Sequence, residues 1–168
     1  VERLMTRWHR AMPEADASRL LLDAAREEST GDLDRALALY KGVCDFARVH
    51  RHSELSRAVI ALARLHRLRG AYDEAHAELD DLEKGGEHTQ DLVAFYAERA
   101  RLSIALHRPG DAQHALEAIS RGGGPAEVRQ TLRREMQAAV FLLDGRHGEA
   151  LKLLRDEALL PVPLRLLR

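Results

Sequence analysis

A glycine followed five residues later by an alanine recurs four times along this chain: Gly31 and Ala36, Gly70 and Ala75, Gly110 and Ala115, Gly145 and Ala150. The glycines stand 39, 40 and 35 residues apart, and so even a period implies one small structural unit used four times. Seven residues before each glycine is a small residue, Ala24, Ala63, Ser103 or Ala138, and nine after it a large apolar one, Tyr40, Leu79, Ile119 or Leu154. Small residues let two helices cross closely, and a large one fills the groove toward the next unit. A glycine between them is the residue that ends a helix in a left-handed turn. The pattern predicts antiparallel helix pairs, each stacked on the last.

Composition agrees. Aromatic residues make up only 4% of the chain, and the abundant Ala, Leu and Arg are strong helix formers, so an all-α fold is expected. The 26 basic and 27 acidic residues leave a net charge of -1, which gives no global attraction to nucleic acid or to an anionic membrane. Cys44 is the single cysteine, so no internal disulfide can form and a reducing compartment, the cytoplasm, is expected. No run of about 18 apolar residues suits a membrane span, and no stretch reads as a signal peptide.

Along the chain, Val1, Leu4, Met5, Trp8, Ala11 and Met12 form a helical stripe, and residues 1–16 are expected to be an N-terminal helix covering the array, with Trp8 as a capping core residue. Four pairs follow at about 17–50, 53–86, 89–121 and 126–159. Asp32 reads as the N-cap after the Gly31 stop, and Pro109-Gly110-Asp111 reads as the stop between the helices of the third pair. Gly122-Gly123-Gly124-Pro125 reads as the most flexible linker, because three glycines lose much backbone entropy on ordering. The tail 160–168 is apolar but carries Pro161 and Pro163, so it cannot simply prolong the preceding helix. It is a candidate for self-association.

With Gly70-Ala71-Tyr72-Asp73-Glu74-Ala75 as its best copy, this arrangement resembles the tetratricopeptide repeat family, whose unit is a helix–turn–helix of about 34 residues. The resemblance covers roughly residues 17–159. It implies a right-handed α-solenoid of four antiparallel pairs. The early aromatic of the family's first helix is replaced by Leu20, Val59, Arg99 and Arg134, and the closing proline is missing. The longer periods are similar to those of repeats in bacterial regulatory proteins.

In that family the first helix of each pair lines a concave partner-binding face. The resemblance therefore implies a face made by Arg57, Ile60, Arg64 and Arg67 from the second pair, Ala97, Arg101, Ile104, His107 and Arg108 from the third, and Leu132, Glu135, Met136 and Ala139 from the fourth. Arginine binds carboxylates through a planar fork, so the expected partner is a protein or peptide with acidic residues against Arg64 and Arg101 and an apolar anchor near Leu132 and Met136. The competing expectation is that these arginines are solvated or paired with neighbouring acids. The family's clamp for a C-terminal carboxylate is not expected, since Leu21, Ala25, Ala61 and Ala97 occupy its matching positions.

An enzyme is not expected: the chain has no phosphate loop, nucleophile elbow or His-Glu-x-x-His. Cys44 reads as a packed apolar residue. His50 and His52 lack companions at metal-ligand spacing, so neither metal nor cofactor is expected. The sequence thus points to a non-enzymatic binding scaffold, or alternatively to the sensing segment of a bacterial transcriptional or signalling regulator with its effector domain elsewhere.

Overall fold

The computed structural model of the chain describes residues 14–50, 53–85 and 91–155. These are all-helical apart from short turns, with no strand among the described residues. Helices α1 (Glu14–Thr30), α2 (Leu33–His50), α3 (Leu55–Leu68) and α4 (Tyr72–Lys84) belong to one compact unit. Helices α5 (Leu92–Ala105), α6 (Pro109–Arg121), α7 (Ala126–Leu143) and α8 (His147–Arg155) belong to another. The division falls between Asp91 and Leu92. Most of the expected N-terminal helix, including Trp8, and the Pro-containing tail lie outside the described residues, and α1 begins three residues earlier than the sequence pattern suggests.

Each unit holds two helix pairs, and both are built the same way. In the first, α1 packs on α2, α2 on α3 and α3 on α4. Ala24 of α1 and Ala36 of α2 are buried, as are Ala63 of α3 and Ala75 of α4. Tyr40, Val43, Val59, Leu62, Leu65, Leu79 and Leu82 fill the remaining interior. In the second, α5 packs on α6, α6 on α7, α7 on α8, and α5 also meets α7. Its interior gathers Ala97, Ala100, Ala112, Ala115, Leu116, Ile119, Met136 and Val140 into one cluster. Burial of the valine, leucine, isoleucine and methionine side chains among these, each contributing about 1.5–3 kcal/mol, is the main stabilising term.

The four inter-helix turns are the same structure. At Gly31, Gly70, His107 and Gly145 the backbone is left-handed, with φ of 90°, 77°, 55° and 72°. The amide of each donates to the carbonyl three residues back, at 3.0–3.2 Å for Gly31 to Glu28, Gly70 to Arg67, His107 to Ile104 and Gly145 to Leu142. The amide of the next residue donates to the carbonyl five back: Asp32 to Glu27, Ala71 to His66, Arg108 to Ser103 and Arg146 to Phe141, all within 3.0 Å. This paired arrangement closes the carbonyls that a helix end leaves open. Asp32 then caps α2 as expected, accepting from the Arg35 amide at 3.0 Å.

The third pair therefore corrects the glycine alignment. Its turn residue is His107, while Gly110 lies inside α6. Pro109 opens that helix instead of stopping the one before, because its fixed φ suits a first turn where a backbone N–H has no intrahelical partner. Counting from His107, the residues seven before, five after and nine after are Ala100, Ala112 and Leu116, and all three are fully buried. Ser103, which the Gly110 count selects, is only half-buried. The turn residues now stand 39, 37 and 38 apart, and Tyr96 takes the early first-helix position that the glycine count gave to Arg99. The sequence pattern misled because a slip of three residues turns a helix by nearly a full revolution and leaves apolar residues on much the same face.

A histidine in this conformation carries the steric cost of its Cβ, on the order of 1 kcal/mol. His107→Gly is expected to raise stability by about 0.5–1 kcal/mol despite glycine's larger unfolded-state entropy, read as a higher thermal midpoint. A lowered midpoint would mean that the His107 side chain makes a compensating contact.

The glycine linker after α6 is held in place. Arg129 of α7 donates from one guanidinium nitrogen to the carbonyls of Gly122, at 2.8 Å, and Gly124, at 2.6 Å.

Candidate partner-binding surface

In the first unit the first helices α1 and α3 run side by side in the same direction. Two side-chain bonds join them, each linking residues 36 apart. Near their N-terminal ends Ser18 donates to Glu54 at 3.2 Å, and near their C-terminal ends Arg64 donates to Glu28 at 2.5 Å. The Glu28 oxygen that takes Arg64 also accepts from the Tyr40 hydroxyl at 3.0 Å, so three helices meet at one carboxylate. Glu54 likewise accepts from Arg57 at 3.3 Å. Between these polar levels the face presents half-buried Leu21 and Ile60 and exposed Ala25.

Burial, with Glu28 adding to it, pushes the Tyr40 hydroxyl up to about 12. It stays protonated and serves Glu28 as a donor.

The predicted residues fall into three groups. Arg57 and Arg64 lie on the α1–α3 face with Ile60 and half-buried Arg67, but Arg57 is bonded to Glu54 and Arg64 to Glu28. In the second unit Arg101 sits 3.5 Å from Glu98, whose side chain is 2% exposed. Replacing Arg64 or Arg101 would thus break a contact of the chain itself and would not report on a partner alone.

The last group is corrected by the structure. Met136 is 4% exposed and, with Ala97, belongs to the core of the second unit. Leu132 and Ile104 pack against the same core. Met136 forms no free apolar anchor, because α7 turns it into the core against α5 and α6, while Leu132 stays half-buried at the edge of that core. His107 forms the turn, and exposed Arg108 follows it as the residue before α6.

Glu28, Glu54 and Glu98, the acids that engage these arginines, were missed by the sequence reading. A signal existed for the first: Glu28 and Arg64 have opposite charges 36 residues apart, one helical turn short of the 39-residue spacing between Gly31 and Gly70.

Cys44 is fully buried, and burial pushes its thiol up to about 12, so the thiolate that nucleophilic chemistry needs is strongly disfavoured. The His50 ring lies against Phe46, with centroids 4.4 Å apart, and its expected neighbour His52 lies outside the described residues. Among the described residues no group of His, Cys, Asp and Glu is placed to hold a metal ion, and no helix is long and apolar enough to cross a membrane. Comparison with protein-family models, with curated proteins and with solved structures gives no match.

Proposed function

We propose that this chain is a tetratricopeptide-like scaffold that binds a partner protein or peptide on the face made by α1 and α3, the first helices of the pairs in its first unit, without catalysing a reaction. One observation carries the reading: the framework repeats while the face does not. The turn and its flanking alanines are the same in all four pairs. Six residues before the turn, by contrast, stand Ala25, Arg64, Arg101 and Ala139, none of them fully buried. A fold kept constant under a varied surface is how repeat proteins present an extended recognition face.

On the α1–α3 face the arginines already hold carboxylates of the chain. An acidic partner would have to compete with Glu28 and Glu54, so the half-buried apolar residues between them are the better contact. A mostly apolar strip with polar margins fits an extended or helical segment laid along it.

The test uses positions that bear no internal bond. Ala25→Arg combined with Ile60→Arg should reduce capture of the native partner at least tenfold, as measured by titration of the partner recovered from the source cell. Lys41→Glu, on the exposed side of the second helix α2, should leave capture unchanged. Equal binding by both variants, with melting curves showing both folded, would reject the face.

A further inference from the structure

We draw no further inference here: the strongest candidate, the apolar surface that Leu142 of α7 and Leu151 and Leu154 of α8 leave 40–50% exposed in the last pair of the second unit, adjoins residues 156–168, which lie outside the described residues, and nothing in the structure shows what covers it.

Discussion

Leu116→Ala is expected to lower the unfolding free energy by about 2–5 kcal/mol, whereas Leu154→Ala should cost less than about 1 kcal/mol. Both residues stand nine after a turn, at His107 and Gly145, so a strictly local reading makes them equal. Leu116 is fully buried among Ala97, Ala100, Ala112, Met136 and Val140. Its removal leaves a cavity that rigid helix crossings cannot close. Leu154 remains 40% exposed and has less packing to lose. Urea denaturation with an unchanged m-value measures the difference. Similar losses for the two variants would place Leu154 in an interior equivalent to that around Leu116, against its 40% exposure.

Raising the pH is expected to destabilise the chain well before its arginine pairs titrate. Cys44 has its ordinary value of 9.0 raised to about 12, chiefly by burial. The folded state therefore holds its proton where the unfolded chain has released it, and stability falls as the pH climbs from about 9 toward 12. By pH 11 the loss from Cys44 is on the order of 3 kcal/mol. Tyr40, raised from 10.0 to about 12, contributes in the same direction over the upper part of that window. Cys44→Ala should be somewhat less stable at pH 8 but lose less on going to pH 11, and adding Tyr40→Phe should flatten the profile further. Denaturation midpoints at pH 8, 9, 10 and 11 provide the check. A Cys44→Ala profile parallel to that of the parent chain would show that the thiol is not the group responsible.

Helix was legible in the sequence because its causes are local. Alanine, leucine and arginine favour it, and the alanines flanking Gly31, Gly70 and Gly145 mark where two helices touch. The helix pairs and the capping role of Asp32 follow from neighbours a few residues apart. The third turn was misread because Gly110 is the obvious glycine. Only the backbone shows that His107 takes the left-handed position and that Pro109 starts α6.

The candidate surface was less legible, since a residue's place on a helix says which way it points and not what it meets. Arg64 reads as a free cation on an inner face until α1 brings Glu28 within 2.5 Å of it. Met136 reads as an accessible anchor until α5 and α6 close over it. By itself the sequence determined that this chain would form helix pairs with close alanine crossings, because propensity, turn chemistry and residue size act over a few residues. Tertiary structure decided which charges were already paired and which apolar residues remained at the surface, because both depend on side chains some 36 residues apart meeting across helices.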